Sequence, residues 1–176
     1  MHGNVFWLVD PLDGTKEFIT RTDEFTVNIA LIESNVPIIG VLLAPALKQC
    51  YFTDGYSAYM IEDDGPRTRI SARKIPLGEP VILASRNHRD KKTNEFISQQ
   101  KGGRVISVGS ALKFALLAKG DADLYPRFGT TMEWDVAAGH AILSAAGGSI
   151  SQPDGKALHY GKTTLYNPHF IAYGIE

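Results

Sequence analysis

The chain has 176 residues, 44% of them hydrophobic and 21% charged, an ordinary globular composition that sets aside a disordered chain. A net charge of -1 offers no overall field to nucleic acid or an anionic membrane, so an anionic ligand has to be held by local charge. One cysteine, Cys50, excludes an internal disulfide and a cysteine-built metal cage and points to a reducing compartment, the cytoplasm; no apolar run approaches the roughly 20 residues of a membrane span.

Residues 5–9 (VFWLV) are a nearly continuous apolar run closed by Asp10-Pro11, which predicts a buried strand entering a turn, with a short helix to follow. Residues 25–33 and 38–44 are rich in β-branched side chains, and 34–37 (SNVP) predicts the hairpin connection between them. Runs at 49–53 and 57–61 continue the meander around Asp54-Gly55, so the first part is expected to be an antiparallel sheet. The polar segment 62–79 predicts a junction, dividing the chain into an antiparallel-sheet unit at 1–78 and an α/β unit at 79–176. In the second unit, 80–84, 104–108 and 124–127 are predicted strands. Helices are predicted at 90–100, 110–119 and 135–146, the last two stopped by Gly120 and Gly147-Gly148, with closing strands at 149–152 and 169–173. Alternating strands and helices imply a layered α/β architecture.

Asp10 and Asp13 lie three residues apart where a strand gives way to a turn, so their carboxylates can converge and bind a hard cation such as Mg²⁺, which takes one or two carboxylates and leaves positions for phosphate oxygens. Pro11 fixes a backbone torsion that can aim the Leu12 carbonyl at the same ion. Gly14 lets an anion approach the backbone, and Thr15 opens a helix whose free N–H groups favour phosphate. The competing reading of Asp-Pro-x-Asp-Gly is turn chemistry, with both aspartates accepting from local N–H groups. The full string Trp7-Leu8-Val9-Asp10-Pro11-Leu12-Asp13-Gly14-Thr15 resembles the first signature of the inositol-monophosphatase-like family of Mg²⁺-dependent, lithium-sensitive phosphatases. Trp134-Asp135-Val136-Ala137-Ala138-Gly139 resembles its second signature, although Asp135 alone reads equally well as a helix N-cap.

Lys16-Glu17-Phe18 after the first signature resembles the bacterial 3′(2′),5′-bisphosphate nucleotidase branch, as do Ser85-Arg86-Asn87-His88, Gly109-Ser110-Ala111-Leu112-Lys113 and Tyr125-Pro126-Arg127-Phe128-Gly129. The resemblance covers essentially the whole chain and implies a sugar-phosphatase-like αβαβα sandwich, here without its first helical layer. It implies two or three Mg²⁺ ions on Asp10, Leu12, Asp13 and Asp135, with catalysis carried by Asp10, Asp13, Thr15 and Asp135. Substrate is then expected on Leu12, Gly14, Thr15, His88, Ser110, Lys113, Arg127 and Asp135. Ser110 can cap a helix that receives phosphate, Lys113 supplies a point charge, and Arg127 offers a two-donor fork. Without the resemblance, Lys113 and Arg127 read as solvated charges and His88 as a loop cap. His140 is expected to be a structural histidine and Glu133 a solvent-facing residue.

The implied reaction converts adenosine 3′,5′-bisphosphate to AMP and phosphate by direct attack of water, a step of sulfur assimilation. Inositol phosphate, or another small phosphomonoester, is the alternative substrate, and a metal- and nucleotide-binding module without catalysis the alternative class. The family also uses a glutamate on an upstream helix to activate the water, and a pair of N-terminal helices to cover its first sheet. No residue before Asp10 is acidic, so the expectation is a truncated product with impaired activity and an uncovered apolar sheet face. A homodimer and a cytoplasmic location, with a peripheral place on the inner membrane face as a variant, complete what the resemblance implies.

Overall fold

Two residues with left-handed backbone, Ser34 (φ 51°) and Asn35 (φ 67°), make the tight turn that fixes the register of the first hairpin. The computed structural model that shows this describes residues 4–87, 89–100 and 102–176. The turn joins β2 (Thr26–Glu33) to β3 (Val36–Ala44); Val36 and Pro37, expected in the connection, are already strand. With β1 (Val5–Asp13), β4 (Gln49–Thr53), β5 (Ala58–Glu62) and β6 (Thr68–Ile70), these strands form one antiparallel sheet in chain order. Helix α1 (Thr15–Ile19) sits between β1 and β2. Strand β6 falls inside the polar segment read as a junction, because an edge strand needs only one buried position, here Ile70.

The second sheet holds β7 (Val81–Ser85), β8 (Arg104–Val108), β9 (Leu124–Arg127), β10 (Ser149–Ser151) and β11 (Phe170–Tyr173), in the order β10-β11-β9-β7-β8. β7 runs parallel to β8 and β9, and β11 antiparallel to β9 and β10. β7 is apolar from Val81 to Ala84 because both its faces are covered: Leu83 joins the main core, whereas Ile82 and Ala84 pack with Ile97 of α2 (Lys91–Gln99).

Helices α3 (Leu112–Lys119) and α4 (Glu133–Ala145) contribute to the main core between the sheets. Leu8, Ala30, Ile32 and Leu42 of the first sheet meet Phe114, Leu117, Val136 and Ile142 of these helices and Tyr125 and Phe170 of the second sheet in one cluster. Contact with β3 is close enough that a Cβ on Gly40 would lie 2.4 Å from the Ala138 carbonyl oxygen. Beside this core, the Arg73 fork grips the fully buried Asp123 carboxylate at 2.8 and 2.7 Å, and Val81 N–H donates to it at 2.7 Å. That clasp ties the connector between the sheets to the start of β9.

The outer face of the first sheet is also apolar, and among the described residues no helix covers it. Val5, Trp7 and Val9 are 54%, 59% and 50% exposed, and the row Val9–Ile29–Val41 continues across β2 and β3. The uncovered apolar face expected from the sequence is therefore present.

Candidate active site

β1 loses register with β2 between Asp10 and Asp13, and at this irregularity Leu12 N–H donates to Asp10 Oδ1 at 3.0 Å. Asp135 reaches the same place from the first turn of α4. It is not the N-cap, which is Met132; the helix begins two residues earlier than expected, and the Asp135 carboxylate accepts from Met132 N–H at 2.8 Å. Carboxylate oxygens of Asp10, Asp13 and Asp135 lie within 4.8 Å of one another.

Burial raises the pKa of all three, that of Asp135 to about 6. Asp10 and Asp13 stand close enough to Asp135 for their charges to add to its rise. For Asp13, the Lys113 ammonium works against the burial that raises it, and Asn28 Nδ2 donates to its Oδ2 at 3.5 Å. A set of clustered carboxylate oxygens with no nitrogen or sulfur donor suits a hard divalent cation such as Mg²⁺.

These carboxylates line a cavity of about 520 Å³. Leu12, Gly14, Thr15, Ser110, Lys113 and Arg127 line the same cavity, so the structure brings together every site residue expected from the sequence except His88, which lies outside the described residues. Gly14 takes φ 84° as the N-cap of α1, and a Cβ there would meet Ser110 Cβ at 3.1 Å, so glycine admits the loop carrying Ser110. Ser110 itself has φ 43°, a strained geometry of the kind that collects at ligand sites.

Neither Lys113 nor Arg127 is the solvated charge that composition alone suggests. Lys113 is buried, donates to the carbonyls of Val108 and Ser110 and lies over the Tyr125 ring; burial lowers its pKa to about 8 despite nearby Asp13. Arg127 is 8% exposed and donates to the Thr130 carbonyl at 3.1 Å. Three clustered carboxylates and two buried cations lining one cavity make an arrangement for a cation and an anion held side by side.

The sequence profile of the inositol monophosphatase family matches residues 1–172. This chain belongs to the inositol monophosphatase family. Within that family it is 48% identical over 170 residues to the Salmonella typhimurium protein named 3′(2′),5′-bisphosphate nucleotidase CysQ, covering 96% of this chain and 68% of that protein. The Escherichia coli K12 protein of the same name is 46% identical over the same shares of both chains. A crystal structure of CysQ from Bacteroides thetaiotaomicron superposes with a TM-score of 0.88 at 41% identity, over 98% of this chain and 71% of that one. An inositol monophosphatase of Thermotoga maritima follows with a TM-score of 0.80 at 27% identity, over 98% and 65%. The mixed α/β fold expected from the sequence is the fold of this family.

Glu133, read as solvent-facing, is fully buried: its carboxylate accepts from Gly161 N–H at 2.7 Å and Lys162 N–H at 3.0 Å and pairs with Lys162 Nζ at 2.6 Å. Those partners lie 28 and 29 residues away, so no local pattern reveals them. With Asn167, whose side chain donates to the Met132 carbonyl at 2.7 Å, they pin the end of α4 that carries Asp135. Glu133→Ala would strand two buried N–H groups and is expected to cost about 3 kcal/mol, read as a lower midpoint in urea. His140 has the structural role expected, its Nδ1 2.8 Å from the Tyr160 hydroxyl and its pKa lowered by burial to about 4. Glu17, quoted only as part of the KEF string, is a cavity residue that sequence reasoning missed; its place in the first turn after Gly14 was the available signal.

Proposed function

We infer that the cavity hydrolyses a phosphomonoester, adenosine 3′,5′-bisphosphate, to AMP and phosphate. The observation that carries this reading is the joint lining of one cavity by the carboxylates of Asp10, Asp13 and Asp135 and the cations of Lys113 and Arg127. The names of the Salmonella and E. coli relatives support the substrate.

In this reading Asp10, Asp13, Asp135 and the Leu12 carbonyl hold Mg²⁺, which when bound supplies Lewis acidity and makes water a stronger nucleophile. Thr15, at the start of α1, orients the attacking water, and Gly14 admits the reacting phosphate to the backbone. A water oxygen bonds to phosphorus as the bond to the ribose oxygen breaks, and that oxygen leaves with a proton. Ser110, Lys113 and Arg127 grip the second, non-reacting phosphate. Lys113, with its pKa near 8, is still mostly protonated at neutral pH and keeps its charge for that phosphate. A cytoplasmic location and a homodimer belong to the same proposal.

The test is phosphate release from adenosine 3′,5′-bisphosphate, with inositol 1-phosphate and AMP as comparators. Mg²⁺-dependent release that strongly favours the bisphosphate, and that lithium suppresses, is the expected result. Equal turnover of inositol phosphate would move the substrate assignment, and nucleotide binding without release would leave a binding module.

A further inference from the structure

Two carboxylates outside the metal-type cluster reach from the first sheet's connection into the loop that carries Ser110. Glu17 of α1 is 6% exposed, lines the cavity and accepts from Asn87 Nδ2 at 2.8 Å. It also lies flat against Gly109, where a Cβ would meet Glu17 Cγ at 2.6 Å and Oε1 at 2.8 Å, so only glycine at 109 admits it. A few residues on, Glu24 accepts from Gly109 N–H at 2.6 Å and is gripped by Arg86, whose Nη2 and Nε lie 2.7 and 3.2 Å from its oxygens. Arg86 also donates to the Ser107 carbonyl at 3.1 Å. The β8–α3 loop is thus held on both sides by the segment that immediately follows Asp13-Gly14-Thr15.

Resting on the nucleotide reading above, we propose that Glu17 is a positioning residue that couples α1 to the loop presenting Ser110 and Lys113, and so fixes the grip on the ligand's second phosphate. α1 follows the metal-type motif directly, and Ser110 and Lys113 follow Gly109 by one and four residues. Glu17 touches both segments through its own atoms and through Asn87, which the chain delivers from the end of β7. Three loops that are distant in sequence therefore take one relative position. Loss of the carboxylate frees the Ser110 loop to shift without altering Asp10, Asp13 or Asp135.

The experiment titrates the full chain by calorimetry, first with MgCl₂ alone and then with AMP in saturating Mg²⁺. In Glu17→Ala the Mg²⁺ affinity is expected to stay within about twofold while AMP binding weakens by about 10- to 100-fold, the loss typical of a misplaced contact. Glu17→Gln, which keeps an oxygen for Asn87, is expected to recover most of it, whereas Glu17→Met, of similar length but with no such oxygen, is not, and recovery in Glu17→Met would overturn the role given to the carboxylate. Should Glu17→Ala fail to fold, Asn87→Ala carries the test from an exposed position, with AMP binding expected to weaken about three- to tenfold. AMP binding unchanged in a folded Glu17→Ala, or lost together with Mg²⁺ binding, overturns the proposal. If the unaltered chain binds Mg²⁺ but not AMP, the nucleotide reading fails, and amide exchange decides the coupling separately. Gly109 N–H should then exchange at least about tenfold faster in Glu17→Ala, and an unchanged rate overturns the coupling.

Discussion

Asp135→Asn should weaken Mg²⁺ binding by at least about 100-fold and, in the same protein without metal, raise stability; a ligand cannot matter less than the outer partners whose loss costs 10- to 100-fold. The two effects have one cause. Burial has lifted the pKa of Asp135 to about 6, with Asp13 and Asp10 adding to the rise, so the ionised carboxylate is held where it is costly. Asparagine keeps an oxygen for the Met132 N–H and removes the charge. The folded pKa is above the ordinary 3.8, so the folded protein holds this proton more tightly. The resulting stability is complete below about pH 4 and lost as pH rises through about 6. Two pKa units correspond to about 3 kcal/mol, reduced to about 2 for a half-buried group. Thermal melts of the metal-free chain between pH 4 and 7 should show this fall, and Asp135→Asn should flatten it. Mg²⁺ affinity should run the other way, rising over the same interval as the proton leaves. A metal-free variant that melts below the parent at pH 7 would contradict the account.

Gly40→Ala is the second large effect, produced by a single methyl group on a residue that does not line the cavity. The added Cβ would lie 2.4 Å from the Ala138 carbonyl oxygen and 3.1 Å from the Ala138 carbonyl carbon and Cα, all of them backbone atoms that no rotamer change can move. α4 must withdraw by about an ångström, opening the core where Val136 and Ile142 meet Leu42 and Ile32. Overpacking of this kind costs about 1–3 kcal/mol, which in a chain of this size lowers Tm by roughly 3–10 °C. Asp135 rides on the same helix, so calorimetry should find weaker Mg²⁺ binding as well as the lower Tm. A stable variant with intact Mg²⁺ affinity would mean that α4 and β3 are less tightly joined than the contact implies.

The elements that the sequence announced are those whose signal is local. The apolar runs of β2, β3 and β7 and the glycine stop of α3 lie within a residue or two of where they were expected. β6 was hidden because Thr68-Arg69-Ile70 is polar at an edge, and the start of α4 because Met132, a poor capping residue, is supported by Asp135 three residues later. In the cavity, Asp10, Asp13 and Asp135 were legible through two short strings of special residues. Glu17 and Glu133 were not, since what buries them comes from residues 87 and 109 in one case and 161 and 162 in the other. Lys113 shows the same limit: a lysine in a helix reads as surface until Asp13, Val108 and Tyr125 close around it.

The place of α4 also bears on how the chain is made. The strands of the first sheet pair with their neighbours in sequence and can zip together early, whereas the helix that shields their inner face begins about 120 residues after Asp13. At roughly 5–20 residues per second, a nascent chain spends on the order of ten seconds with the inner face of that sheet waiting for α4 and two carboxylates awaiting their third. Synthesis in the cell should therefore be the stage at which this protein depends most on a holding chaperone.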